Sequence, residues 1–496
     1  MSPRREARAP ALLWFGAALA ACLSVALING GGLTYFDTAS YLAQGDTALT
    51  SLGIIPAPEP TGADGAGPGA SVDDGQVVGS RSAIFSGLLA ALNRFASLNL
   101  LVLLNSVLIF AAVLIPVRAA RRSLGLVTPL APLVAGPILL ACLTSLPFYV
   151  AYLMPDMFAP VLILGIAALT GLGSGMTWPE RLAVLVLGLA AVTSHPSHLL
   201  IAVAMVPVAF LGALVLRCPQ WWLAPLLLVL MVAGGLAERV VFAAAVKSIK
   251  GAEVVYQPFL TVRVIADGPG YRFLEARCPD QTMPSCALFQ ALQRSDDPER
   301  LTASHIMFET TERLGSYRLL PAATQQAVAD TQLDFFLAVL MDRPVDVVWA
   351  FLRNTGLQAG WFNSVTQTIP TAVSVESIYV MAPNAPDGFR AARLIETRAE
   401  FSRLDWPHRA IYALTCLGLI GLALWPGSGL TPGLRVFALV LVAGIAANAF
   451  VCGGISQPSD RYGARVAFLL PLGLGLLWML QRKPGKDPGT EISQAQ

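Results

Sequence analysis

Apolar residues in this chain fall into long, nearly unbroken blocks separated by short charged loops. A helix needs roughly 20 apolar residues to cross a hydrocarbon core. Ten blocks approach that length: 11–29, 97–117, 127–146, 155–171, 181–196, 199–216, 221–245, 409–426, 434–452 and 465–481. Lipid offers the backbone no hydrogen-bond partners, so blocks of this kind predict helices. The chain is expected to be an all-α polytopic membrane protein of about ten spans. The fifth block is short and interrupted by His195-Pro196, where a break or re-entrant turn is the alternative. Losing that crossing would invert every later loop.

The polar segments divide the chain. Residues 1–245 form an N-terminal membrane domain with spans one to seven and a first external loop at 30–96; 246–408 form an inserted extramembrane domain; 409–481 carry spans eight to ten; 482–496 are a tail. The first loop opens with Tyr35 to Leu42, a short helix whose expected N-cap is Asp37. A Pro/Gly/Ala/Asp stretch follows, read as a linker or as a lid at 57–76, and then Arg81-Ser82-Ala83-Ile84-Phe85 enters an amphipathic helix with Asn93 and Arg94. Two surface helices joined by a polar segment are the expected result. The insert is read as mixed α/β, with β-like runs over Val254 to Val264 and helix around 300–356. Arg263 to Gly270 reads first as turn chemistry, and the helices with Arg343, Arg353, Asn354 and Trp361 read as a cover over the membrane domain.

Charge then orients the spans. Arg4, Arg5 and Arg8 precede the first; Arg118, Arg121 and Arg122 follow the second; Arg181 opens the fifth; Arg217 closes the sixth; Arg482, Lys483 and Lys486 follow the last. An N-terminus in the cytoplasm puts all of these groups on the cytoplasmic side, as the positive-inside bias requires. The expected setting is a bacterial inner (plasma) membrane, with both termini cytoplasmic and the insert periplasmic. Leu19-Ala20-Ala21-Cys22 resembles a lipoprotein cleavage box, but apolar sequence continues to Ile28, as an uncleaved helix would. Hydrophobic residues make up 55% of the chain and charged ones 13%, with a net charge of +2. No basic tract interleaved with aromatics is present, which argues against a nucleic-acid partner.

Of the seven cysteines, Cys22, Cys142, Cys218, Cys416 and Cys452 lie in or beside spans as apolar thiols. Cys278 and Cys286 are close together in the insert, where an oxidising compartment favours a local disulfide. No CxxC or HExxH spacing suggests a zinc site made by protein alone.

Four separated elements place polar chemistry at one depth on the external side. They are Asp37 after span one, Pro155-Asp156 opening span four, His195-Pro196-Ser197-His198 between spans five and six, and Asp460-Arg461-Tyr462 with Arg465 at the last span. Ionisable groups near hydrocarbon are costly and usually face a cavity. Each also has a bland reading: Asp37 as a helix cap, His195 bonded to a backbone carbonyl, Arg461 and Arg465 snorkelling to headgroups.

The order and sidedness of these motifs resemble the GT-C superfamily of membrane glycosyltransferases. The first loop opens with Asp37 and Tyr41 in an Asp-x-x-x-Tyr pattern and ends in an Arg-containing amphipathic helix. Met154-Pro155-Asp156 is similar to that superfamily's Leu-Pro-Asp/Glu, and Ser459-Asp460-Arg461-Tyr462 to its C-terminal Arg-Tyr. Thr38 stands where a second acidic residue is common, and Arg81-Ser82-Ala83-Ile84 replaces the usual Pro-Pro.

The resemblance implies transfer of a sugar from a polyprenyl-phosphate donor to a cell-envelope glycan or lipid acceptor, with inversion. It implies Asp37 and Asp156 as catalytic carboxylates, Asp37 as general base, and Asp156 orienting the acceptor or sharing a divalent cation with Asp37. Tyr41, Arg81, His195, His198, Asp460, Arg461, Tyr462 and Arg465 would bind substrate, with Arg461 and Arg465 stabilising the leaving phosphate and His195 or His198 assisting. Other readings of the same pattern are an envelope polysaccharide polymerase or ligase, which would depend more on an external Arg, and a transporter or assembly scaffold. No internal repeat supports transport.

Overall fold

The computed structural model of the protein describes residues 8–56, 76–79, 81–217, 220–278, 283–294, 301–381 and 392–481. Helix dominates these residues. Before the insert come α1 (Arg8–Asn29), α2 (Phe36–Ser51), α3 (Ala83–Phe95), α4 (Asn99–Leu124), α5 (Leu130–Ala141), α6 (Leu146–Ala151), α7 (Phe158–Leu172), α8 (Trp178–Ser194), α9 (Pro196–Leu216) and α10 (Leu223–Lys250). The insert holds α11 (Phe259–Ala266), α12 (Pro269–Arg277), α13 (Pro284–Leu292), α14 (Ala303–Phe308), α15 (Ala322–Asp330), α16 (Gln332–Asp342), α17 (Pro344–Gly360) and α18 (Ala372–Met381). After it come α19 (Asp405–Leu424), α20 (Pro432–Ala449) with a π-helical continuation over Phe450–Ser456, α21 (Asp460–Ala467) and α22 (Leu469–Leu480). Among the described residues eight helical stretches are long and apolar enough to cross a membrane, and the chain is a multi-pass helical membrane protein. The proposed lid at 57–76 lies outside the described residues except for Gln76, as do Arg4, Arg5, Cys218 and the tail 482–496.

Two of the ten expected spans take a different form. The third is broken: α5 has 12 residues, about 18 Å of helix, and α6 follows after a turn. Ser145 shows why the break is tolerated, because its hydroxyl donates to the Ala464 carbonyl at 2.6 Å while its amide donates to the Tyr412 hydroxyl. Groups released from the helical ladder are satisfied by α21 and α19. The fifth, α8, has 17 residues and ends at His195, whose extended backbone turns the chain directly into α9. His195-Pro196 is therefore a corner between two separate helices.

The ends of the bundle are chemically distinct. Asp156 precedes α7, and Gly173 follows it. At the Gly173 end, Arg122 pairs with Glu180, and Arg181 donates to the Gly173 carbonyl at 2.9 Å and to Gln220. All the groups of the polar quartet lie at the Asp156 end. The α1 helix runs unbroken through Cys22, whose Sγ is 3.7 Å from that of Cys142, so this residue packs inside the bundle.

The insert begins at Gly251, and the next spanning stretch starts at Arg398. Among the described residues it is mostly helical, with one short strand near its start. Of the β-like run, only Val254 and Val255 are strand, within Glu253–Val255, which pairs in parallel with Gln76–Val78 of the first loop. Val262, Val264 and Ile265 are helical and bury into a separate core with Phe273, Leu274, Leu288 and Phe289. Tertiary packing overrides their β-branched preference. Of Arg263 to Gly270 only Asp267-Gly268 is a turn, since Arg263 to Ala266 are the last turn of α11 and Pro269 opens α12: Asp267 ends α11, and Gly268 at φ +101° occupies a conformation that favours glycine. A Cys278–Cys286 disulfide joins the end of α12 to α13.

Candidate active site

The polar cluster starts from a short piece of backbone pairing. After α1, Leu33 accepts from Leu153 and donates to the Ala151 carbonyl, at 2.8 and 2.7 Å. This bridge sets the segment leading to Asp37 beside the one leading to Asp156. The buried Asn105 of α4 holds the second segment, donating to the carbonyls of Val150 and Tyr152.

Asp37 does not cap α2. The N-cap is Tyr35, whose amide donates to the Thr38 hydroxyl at 2.9 Å. Both Asp37 oxygens are thus free for side chains. Oδ1 accepts from Arg81 at 2.5 Å and Oδ2 from Arg461 at 2.7 Å. Burial raises the Asp37 carboxyl, but Arg81 and Arg461 outweigh it and hold the group below the ordinary carboxylate value. The side chain stays 24% accessible.

Asp156 sits deeper, 1% accessible. Arg461 grips it with Nε at 3.1 Å and Nη2 at 2.9 Å from Oδ2, and Arg465 reaches Oδ1 at 3.3 Å. Arg465 is wholly buried, and Asn448 of α20 accepts from its Nε and Nη2 at 3.1 and 2.9 Å. Its Nη2 also donates to Ser197 at 3.1 Å. Tyr35 and Tyr462 lie against the Arg461 guanidinium, with ring centres 4.9 and 5.4 Å from Cζ. Three guanidiniums face two carboxylates, leaving a net positive site.

The cluster forms the floor of a cavity of about 490 Å³. Asp37, Arg81, His195, Arg461 and Tyr462 line it. Leu200 of α9 and Val451 and Ile455 of the π-helix form an apolar wall, and Phe259, Ser304 and Phe308 of the insert close it from above. A smaller adjoining cavity of about 200 Å³ shares Tyr35, Phe36 and Gln367 and adds Ser374 and Arg398.

Several residues singled out in the sequence do not reach this cavity. Asp156 lies beneath it, so its geometry suits holding Arg461 and Arg465 rather than touching a substrate. The Arg461 guanidinium also stands between Asp37 and Asp156, where a shared divalent cation would have to sit, and among the described residues no three acidic, His or Cys groups cluster as metal ligands. Tyr41 is fully buried under Arg81, with its ring 5.4 Å from Cζ and edge-on to Phe85. His198 is also fully buried, donating from Nδ1 to the Ala191 carbonyl at 3.0 Å. Asp460 turns toward the insert and accepts from the Ser364 amide at 2.8 Å.

His195 does face the cavity while also capping α9. Its Nδ1 accepts from the Ser197 amide at 3.1 Å, which leaves a neutral ring with Nε2–H as donor. Arg461 and Arg465 do not snorkel to headgroups, because both guanidiniums are committed inside the protein.

Sequence reasoning missed Tyr35, Asn448 and Gln367. Gln367 accepts from the Arg461 amide at 3.1 Å and the Ser459 hydroxyl at 2.7 Å. Asn448 carried a usable signal, as a lone amide inside an apolar span. Comparisons with protein-family models, with curated proteins and with solved structures match this chain to none of them.

Proposed function

We propose that this protein is an inverting glycosyltransferase of the bacterial inner membrane, with both termini cytoplasmic, that moves a sugar from a polyprenyl-phosphate carrier to an acceptor in the cell envelope. The observation that carries this reading is Asp37, a partly accessible carboxylate set between two guanidiniums on the floor of a cavity whose wall continues into spanning helices. A prenyl tail suits the apolar side at Leu200, Val451 and Ile455. The carrier's phosphate suits the positive floor, where Arg81 and Arg461 donate charge-assisted hydrogen bonds.

At neutral pH Asp37 is ionised but held by both arginines. An arriving phosphate competes for those donors and loosens their hold on the carboxylate. The acceptor oxygen then bonds to the anomeric carbon as its proton passes to Asp37, and the carbon–oxygen bond to phosphate breaks with its electron pair on the phosphate. Arg461 and Arg81 stabilise the charge that develops on the departing group. The neutral His195 adds one further donor from Nε2.

The test is the envelope-glycan and lipid-linked-sugar profile of cells with wild-type protein, no protein, or Asp37→Asn at matched abundance. Asp37→Asn is expected to match the deletion, with one glycan modification absent and its lipid-linked donor accumulated. A wild-type profile from Asp37→Asn combined with a deletion-like profile from Arg461→Met would move the assignment to a polymerase or ligase that works through arginine.

A further inference from the structure

The insert carries a second feature that the cavity does not explain. Along α16 and α17 an apolar row faces outward: Leu333, Leu337 and Met341, then Val345, Val348, Trp349 and Leu352. The α17 part follows helical spacing and opposes the buried row Val347, Ala350, Asn354 and Gln358. Met341, Val345 and Trp349 are 82, 78 and 66% accessible, which is unusual for a solvated domain. The charges at the corner turn aside, Asp342 toward Arg277 and Asp346 toward Arg272 of α12.

The depth of this row follows from what α17 touches. Gly453 of the π-helix packs so closely on α17 that an added Cβ would lie 2.6 Å from the Asn354 carbonyl oxygen. The spanning stretch ending there, Pro432–Ser456, has 25 residues, about 37 Å of helix, against a core of about 30 Å. Its last turns therefore emerge into the headgroup layer, and α17 lies beside them. The rings of Phe336, Phe351 and Phe450 run in contact, at 5.9 and 6.2 Å, from α16 to the exposed side of that span. At the other end of α17, Arg409 of α19 donates to the Trp361 carbonyl at 2.7 Å, and both Trp361 and Trp406, at the start of α19, are exposed. Exposed tryptophans at the entry to a span mark the membrane–water interface.

We propose that α16 and α17 are immersed by this apolar row in the headgroup and upper acyl region of the leaflet on the insert's side. The insert then rests on the bilayer as an interfacial amphipathic unit. The inference is independent of the chemistry assigned to the cavity.

The test uses the full chain in phosphatidylethanolamine/phosphatidylglycerol vesicles. Nitroxide labels are placed through Val345→Cys, Val348→Cys, Trp349→Cys and Leu352→Cys, with Arg353→Cys as the flanking position and the labelled unsubstituted protein as background. Collisions with oxygen are expected to exceed those with a water-soluble nickel chelate along the row and to fall below them at position 353. Nickel-dominated collisions along the row would overturn the proposal by showing water. Low collisions with both reagents would also overturn it, by showing a protein cover.

Discussion

Asp156 and Asp37 share Arg461, yet removing them should cost very different amounts of stability. Asp156→Ala strands one guanidinium, that of Arg465, in the interior. Arg461 keeps Asp37, but Arg465, wholly buried, keeps only neutral partners, Asn448, Ser197, Cys452 and the Tyr462 ring. Deleting one partner of a buried ion pair costs about 3–5 kcal/mol, a large part of a native stability of about 5–15 kcal/mol. Asp37 is a quarter accessible, so water reaches the charges its removal exposes, and Asp37→Ala should cost only about 1–2 kcal/mol. Thermal unfolding of both variants in lipid nanodiscs, followed by tryptophan fluorescence at one scan rate, measures the difference. Asp156→Ala should melt well below Asp37→Ala, and adding Arg465→Met should recover part of the loss by removing the stranded charge. The reasoning fails if Asp156→Ala melts with the wild type, or if the order of the two variants is reversed.

Arg461→Lys keeps the charge but cannot span Asp37 and Asp156 with one planar fork. Glycan transfer in isolated membranes should fall by about 100-fold or more, while protein abundance in a blot stays close to wild type. The Asp37 carboxyl is lowered, so its clamp contributes stability that is fully present above the ordinary value near 3.9 and is lost as pH falls through the lowered one. The melting difference between wild type and Asp37→Asn should accordingly stay constant from about pH 5 to 8 and shrink only in stronger acid; a difference that vanished by pH 6 would contradict the clamp. Gly463 lies between the two arginines of α21, and a Cβ there would sit 1.7 Å from the Phe362 carbonyl oxygen. Gly463→Val should push α21 from its seat, costing about 1–3 kcal/mol and lowering transfer, with melting temperature and glycan profile as the two readouts.

That the chain is a helical membrane protein, and where most of its spans lie, is legible in the order of its residues. Bilayer thickness fixes the length of an apolar block, and the cost of burying charge keeps the blocks clean, so both properties are written locally along the chain. The same reasoning marked Asp37, Asp156, His195, Arg461 and Arg465 as ionisable groups too expensive to be idle. What each does was decided by contacts between residues far apart in sequence. The Leu33–Tyr152 bridge aligns the two carboxylates, Asn448 and Asp156 commit Arg465 to the interior, and Thr38 satisfies the cap that frees Asp37. Burial then separates the pair, leaving Asp37 open to the cavity and Asp156 sealed beneath Arg461. Tertiary packing also made helices of Val262 to Ile265 and allowed the third span to break at Ser145, because partners for those side chains and backbone groups came from elements remote in the chain. A local pattern records what a segment needs, and only the folded chain supplies the partner that meets the need.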